Sequence, residues 1–314
     1  MEQSVINITL IEDPRHNNVQ ASGIALWNIP LSMRKIVVPT DFSNNAMLAA
    51  IYAAGIAAKF GATIYVLHAM DAATDPILEP VALDTKFLEN YTREEFDRLR
   101  FVRNRIIEEN PQLKIELRLT KGMAADAILS FSQKEQADLI VMGAHGSGAL
   151  KEFFIGSVTS DIIARSKVPV TAVPPEYQFR EPGALLLATK KFEEGKGPLS
   201  GLIELAEIFK APVHVVSFID EGEGQAGQYL DVTWHLNHYL EFLQRSFPNV
   251  TFLIHLLEGN DLQESIDEYC RQQNVDLVAV LSHPRSLIDK LCRRNNSRRT
   301  VFHSHVPVLV LPGQ

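Results

Sequence analysis

From Arg34 onward, short apolar runs alternate with longer stretches of helical periodicity, the pattern of a parallel sheet whose strands are joined by helices on both faces. Ile36-Val37-Val38 reads as a first strand, followed by the turn Pro39-Thr40-Asp41-Phe42-Ser43. Ser43 or Asn44 can cap a helix over Ala46 to Phe60, with Gly61 placed to end it. Thr63 to Ala69 is a second strand. After the polar, turn-prone piece Asp71 to Pro80 comes a charged amphipathic helix over 84–109, stopped by Asn110-Pro111. Leu113 to Leu119 alternates as a third strand, Gly122 turns the chain, and a helix over Ala124 to Gln136 returns it to the apolar run Leu139 to Met142. Val158 to Ser166 is helical in spacing. Val168 to Val173 closes the unit, and the proline inside it argues for a sheet edge.

Beyond a proline-rich linker, Pro174 to Gly183, the strands repeat. Ala184 to Lys190 answers Lys35 to Asp41, Pro212 to Asp220 answers Thr63 to Asp71, Val275 to His283 answers Gln136 to His145, and Val306 to Pro312 answers Val168 to Pro174. A period of about 138 residues is too long for a solenoid and describes a duplicated domain. The expected fold is α/β, with two tandem Rossmann-like domains, each a five-stranded parallel sheet, at 33–174 and 184–314, joined by a linker at 175–183. Residues 1–32 read as an extension, although Ile6 to Leu10 alternates well enough for one short strand; a natural start at Met33 is left open. The terminal strands Val168–Val173 and Val306–Leu311 are apolar and β-branched, an aggregation hazard as free edges. Pairing them about a pseudo-twofold axis, as an intramolecular pseudo-dimer, removes it.

Composition narrows the function classes. In 314 residues a hydrophobic content of 46% and a charged content of 22% suit two globular cores. A formal net charge of −8 argues against a general nucleic-acid binder, and no apolar run approaches a membrane span. Two cysteines, Cys270 and Cys292, make no disulfide framework, and the N-terminus lacks the order of a signal peptide, so a reducing cytoplasm is expected.

The chemistry is concentrated after Leu139–Met142. Gly143 and Gly146 follow the strand, Gly156-Ser157 comes after nine intervening residues, and a helix starts directly behind with Val158 and Thr159. A helix start carries unpaired N–H groups and the positive end of the macrodipole, and a loop without Cβ atoms lets phosphate oxygens approach them. Ser157 and Thr159 add hydroxyl donors. In an open parallel sheet a ligand lies beyond the carboxyl ends of the strands, where Pro39-Thr40-Asp41, Ala69-Met70-Asp71 and the Gly143 to Thr159 loop all fall.

The pattern G-x2-G-x9-G-S at Gly143, Gly146, Gly156 and Ser157, with Pro-Thr-Asp-Phe-Ser at 39–43, resembles the ATP-binding branch of the universal stress protein family. The resemblance covers both halves and implies an adenine nucleotide alpha hydrolase-like fold that binds ATP, with magnesium, in the first domain. It assigns Pro39, Thr40, Asp41 and Ala69 to the nucleoside, Ala69 through its backbone, and Met142, Gly143, His145, Gly146, Ser147, Gly148, Ala149, Gly156, Ser157, Val158 and Thr159 to the phosphate side. Asp41 would meet the ribose hydroxyls or a magnesium ion through water; from the residues alone it reads equally as a helix cap. His145 invites a catalytic role but serves as well as a hydrogen-bond donor, and Lys151 lacks a P-loop setting. His235 with His238, and His303 with His305, lack metal-site spacing, and Arg293-Arg294 with Arg298-Arg299 read first as a solvated helix start. In the second half Lys190 falls at Asp41, Phe218 at Ala69, Leu281 at Gly143, Pro284 at Gly146, Arg294 at Gly156 and Asn295 at Ser157, so one nucleotide per chain is expected. The reading is a nucleotide-dependent stress-response or regulatory protein. Slow ATP hydrolysis or self-phosphorylation on Ser157 or Thr159, and a nucleotide-independent interaction module, are the alternatives. A homodimer is left open.

Overall fold

A computed structural model describes residues 33–70, 85–146, 155–190, 192, 194–220, 226–282 and 304–313. The extension at 1–32, the piece 71–84, Ser147, Gly148, Ala149, Lys151, Cys292, His303 and the arginine-rich stretch at 293–299 lie outside the described residues. The first unit runs β1 (Lys35–Pro39), α1 (Asn44–Phe60), β2 (Thr63–Met70), α2 (Thr85–Glu109), β3 (Lys114–Lys121), α3 (Ala124–Glu135), β4 (Leu139–Gly143), α4 (Ser157–Arg165) and β5 (Val170–Val173). The second runs β6 (Leu185–Ala188), α5 (Lys196–Phe209), β7 (Val213–Asp220), α6 (Ala226–Ser246), β8 (Phe252–Gly259), α7 (Leu262–Gln273), β9 (Leu277–Ser282) and β10 (Val308–Pro312). Pattern reading omitted β8 and the three helices of the second unit. Of these α7 had a local signal, since Asp261 caps it by accepting from the Gln263 and Glu264 amides.

The strands form one sheet in the order β3-β2-β1-β4-β5-β10-β9-β6-β7-β8, so each unit carries the order 3-2-1-4-5 counted from its own first strand. Pairing within each unit is parallel, and β10 meets β5 antiparallel, with Val308 opposite Ala172 and Val310 opposite Val170. The proline argument needs correction here. Pro169 and Pro307 stand just before β5 and β10, so neither proline removes a ladder donor from its strand, and both strands are paired on two sides. Helices α1, α2, α5 and α6 share one apolar layer with the sheet, and α3, α4 and α7 belong to the layer on the other face. No helix among the described residues is long and apolar enough to cross a membrane.

Local chemistry explains the elements that frame the crevice. Ser43 is the N-cap of α1, its hydroxyl accepting from the Ala46 amide at 3.2 Å, and Gly61 ends the helix at φ 66°. Asp138 fixes where β1 starts by accepting from the Arg34 and Lys35 amides at 2.8 and 2.9 Å. Asp276 does the same for β6 through the Gly183 amide, 2.6 Å away. The linker is therefore no loose tether. Arg180 pairs with Asp276, and the Tyr177 and Phe179 rings sit 6.0 and 5.6 Å from that of Tyr52 on α1. A Cβ at Gly55 would lie 2.1 Å from the Phe179 ring.

A buried aromatic cluster in the second unit makes stability depend on pH. His255 on β8 stacks on His214, which meets the Tyr269 hydroxyl at 2.7 Å, while both nitrogens of His255 are shielded and lack hydrogen-bond partners. Burial, with the neighbouring His214 second, pushes His255 down to about 4 from its ordinary 6.5. The folded chain thus binds fewer protons than the unfolded one in that window, and the contribution present above 6.5 is lost as pH falls toward 4. Asp267 on α7, raised by burial to about 6, works in the opposite sense, and His305, lowered mainly by burial, works with His255. Thermal melts of His255→Leu at pH 7.5 and pH 5 should show the variant gaining on the wild type as the pH drops; an unchanged difference would contradict the assignment.

Candidate functional site

The crevice opens between the carboxyl ends of β1 and β4, where the connections leave for opposite faces of the sheet. The Thr40 amide continues the β1–β2 ladder by donating to the Leu67 carbonyl at 2.9 Å, and the buried Thr40 hydroxyl accepts from the Phe42 amide. Phe42 is left-handed, at φ 63°, a conformation that costs a bulky residue about 1–2 kcal/mol. The turn exposes Asp41. One of its oxygens accepts from the Ser43 amide at 3.0 Å, and the other lies 3.1 Å from where a Cβ on Gly146 would sit. Asp41 is thus not the helix cap, a role held by Ser43, and it faces the glycine turn after β4.

That turn is closed by a short set of backbone bonds. The Ala144 amide donates to the Val173 carbonyl and the Gly156 amide to the Ala144 carbonyl, both at 2.8 Å, so the two described ends of the glycine loop lie against each other. Gly156 is itself the N-cap of α4 and provides no side-chain acceptor. The first-turn amides of Ser157, Val158 and Thr159 accordingly have no capping side chain. Ser157 and Val158 are exposed. Thr159 is buried, and its hydroxyl donates to the Gly143 carbonyl at 3.0 Å, a structural duty. Met142 points into the core, leaving only its backbone near the crevice.

Ala69 lies at the far side. The ladder of β2 with β1 ends at Pro39 opposite Leu67, and the Leu67 carbonyl faces β1 whereas that of Met70 faces β3, where it accepts from the Gly122 amide. Alternation along a parallel strand then directs the amide and carbonyl of Ala69 past the end of β1, into the crevice. Pro39, Thr40, Asp41, Ala69, Gly143, His145, Gly146, Gly156, Ser157 and Val158 therefore gather around one opening.

Sequence reading missed the residues behind it. His68 holds the Thr40 carbonyl through Nδ1 at 2.8 Å, and its Nε2 lies 3.5 Å from buried Glu95 on α2. Because a carbonyl only accepts, Nδ1 carries the proton. Arg98 pairs with Glu95 and covers the Phe42 ring at 3.9 Å. Asn45 on α1 accepts from the His145 amide and donates to the Val173 carbonyl. No motif marks His68 and Asn45, since each acts on backbone groups far away in sequence. Among the described residues no group of three or more His, Cys, Asp or Glu could hold a metal ion; His235 and His238 on α6 face Asp231 and Glu194 instead.

The second unit repeats the frame with different side chains at the matching described positions. The Thr189 amide donates to the Val216 carbonyl at 2.9 Å as Thr40 does to Leu67, which puts Phe218 at the position of Ala69 and Lys190 at that of Asp41. Phe218 is buried, with the Lys190 amine 5.9 Å from its ring centre, and buried Leu281 stands at the end of β9 where Gly143 ends β4. The positions Pro284, Arg294 and Asn295 lie outside the described residues.

Comparison with known proteins agrees with this duplication. The sequence model described as the Universal stress protein family matches residues 33–174 and again 184–312. A universal stress protein of Methanocaldococcus jannaschii is 33% identical over 141 residues, covering 45% of this chain and 81% of that protein. One from Thermus aquaticus is 32% identical over 140 residues, 45% of this chain and 98% of its own length. Among solved structures, a universal stress protein from Archaeoglobus fulgidus covers 90% of this chain and 97% of its own, with a TM-score of 0.65 at 19% identity, a likeness of fold. With the family matched twice, over most of the length, and the Rossmann-like order 3-2-1-4-5 present in each half, this chain belongs to the universal stress protein family and carries two such domains in tandem.

Proposed function

We propose that the first domain binds ATP with magnesium, and that the protein is a cytoplasmic, nucleotide-dependent regulatory member of the family. The observation that carries this reading is the uncapped start of α4: Gly156 leaves three first-turn amides without a side-chain acceptor, beside an exposed Asp41 and two glycines. Amides aligned with a helix dipole suit phosphate oxygens. In this reading the backbone of Ala69 faces the adenine edge, Asp41 serves the ribose or the hydrated magnesium ion, and Gly146 with Ser157 to Thr159 holds the phosphates. ATP supplies the phosphate chain and, if turned over, its phosphoryl group; the residues described here bind and orient it.

Binding is favoured over turnover because, among the described residues, no side chain is held as a base toward the α4 start, and phosphoryl transfer needs such a group as well as cationic stabilisation. In the self-phosphorylation alternative, exposed Ser157 is a better acceptor than Thr159, whose proton is committed to Gly143. Calorimetric titration with ATP and magnesium, followed by measurement of phosphate release and intact mass, separates the readings. One nucleotide per chain with neither release nor mass gain is expected. Two equivalent sites would refute the restriction to the first domain, and an absence of binding would favour the interaction module.

A further inference from the structure

We infer that Asn45 is a positioning residue for the nucleotide loop, tying the first amide beyond the β4 turn to the last carbonyl of β5; this rests on the ATP reading of the site. Asn45 lies in the first turn of α1 and is 9% exposed. Its Oδ1 accepts from the His145 amide at 2.9 Å and its Nδ2 donates to the Val173 carbonyl at 3.1 Å. These partners fix the orientation of the carboxamide, because an amide N–H only donates and a carbonyl only accepts. The Val173 carbonyl also takes the Ala144 amide at 2.8 Å, so a single carbonyl and a single side chain hold two consecutive loop amides.

The three glycines of the motif then divide by cause. A Cβ at Gly143 would lie 2.7 Å from Oδ1 of Asn45 and 2.9 Å from its Cγ, so the first glycine is required by Asn45. At Gly146 the neighbour is Asp41, at 3.1 Å. At Gly156 the nearest described atoms stand at an ordinary 3.5 Å, so no described neighbour requires a glycine there. With the Ala144, His145 and Gly156 amides all engaged inside the protein, the donors left for an anion among the described residues of the loop are those of Gly146 and the α4 first turn. Asn45 determines that division. The second unit is built differently: β6 ends at Ala188 and α5 starts only at Lys196, where the first unit passes from Pro39 to Asn44, and Glu194 in that longer turn pairs with His238 on α6.

The test uses the full chain with Asn45→Leu and Asn45→Asp. Leucine has similar bulk and makes neither bond, so affinity for ATP with magnesium should fall on the order of tenfold or more at every pH. Aspartate keeps the acceptor, but its ionised second oxygen faces the Val173 carbonyl. Its affinity relative to the wild type should be low at pH 8 and recover as the pH falls and the carboxyl regains a proton to donate. Hydrogen exchange gives a readout without nucleotide: the His145 amide should exchange faster in Asn45→Leu while the amides of α1 stay protected. Faster exchange with wild-type affinity would overturn the positioning role, as would an Asn45→Asp that binds fully at pH 8. Unchanged exchange and affinity would overturn the clamp while sparing the ATP reading. A wild type that takes no nucleotide, with exchange still accelerated in Asn45→Leu, would overturn the ATP reading and leave the clamp supported.

Discussion

Gly156→Arg should lower affinity for ATP by at least about a hundredfold, the loss of roughly two charge-assisted hydrogen bonds, while leaving the fold intact. Both halves of that expectation come from the geometry. Gly156 has φ −59° and ψ 154°, which any residue adopts, and an added Cβ would meet no described atom closer than 3.5 Å, so the substitution strains neither the backbone nor the described part of the turn. The longer side chain, however, starts at the cap of α4 with the Gly146 amide 3.5 Å from its Cβ, in the space proposed for the phosphates. Gly156→Leu separates bulk from charge, since an arginine could itself attract phosphate. Titration of both variants alongside thermal melts checks the prediction. Binding that persists in the leucine variant, with an unaltered melting temperature, would remove the α4 start from the site.

Residues 33–176 expressed alone should form a dimer or precipitate. In the whole protein β5 is four buried residues, Val170 to Val173, lying between β4 and β10. Without the second unit its outer side becomes an apolar, β-branched edge with unpaired amides and carbonyls. A second copy can satisfy it by antiparallel pairing of β5 with β5, mimicking the contact that β10 makes now. Light scattering coupled to size-exclusion chromatography should give twice the chain mass. A well-behaved monomer at high concentration would show that the junction contributes little to the stability of either half.

Much of the first unit was legible because its signals are local. Apolar runs named β1, β2 and β4, Ser43 and Gly61 bounded α1, and Asn110-Pro111 stopped α2 at Glu109. The second unit was less legible. Strand β8 alternates irregularly on a sheet edge, with Leu253 exposed, and so carried no clean period. Pro169 misled for a related reason: its place in the apolar run suggested an edge, whereas the strand starts one residue later and the proline carbonyl serves the ladder by accepting from Ile140.

By itself the sequence determined the doubly repeated α/β pattern, the glycine spacing after β4, and the loss of the small Ala69 and acidic Asp41 at the matching positions of the second half, because each is written in neighbouring residues or in a repeat. Only the tertiary structure decided the register in which β5 meets β10, that Tyr177 and Phe179 pin the linker to Tyr52, and that His68 and Asn45 stand behind the crevice. Those contacts join groups distant in the chain. Asn45 is the plainest case, since its partners His145 and Val173 are 100 and 128 residues away. A side chain whose purpose is to satisfy remote backbone amides and carbonyls leaves no periodicity or spacing near itself, and only folding places its partners within reach.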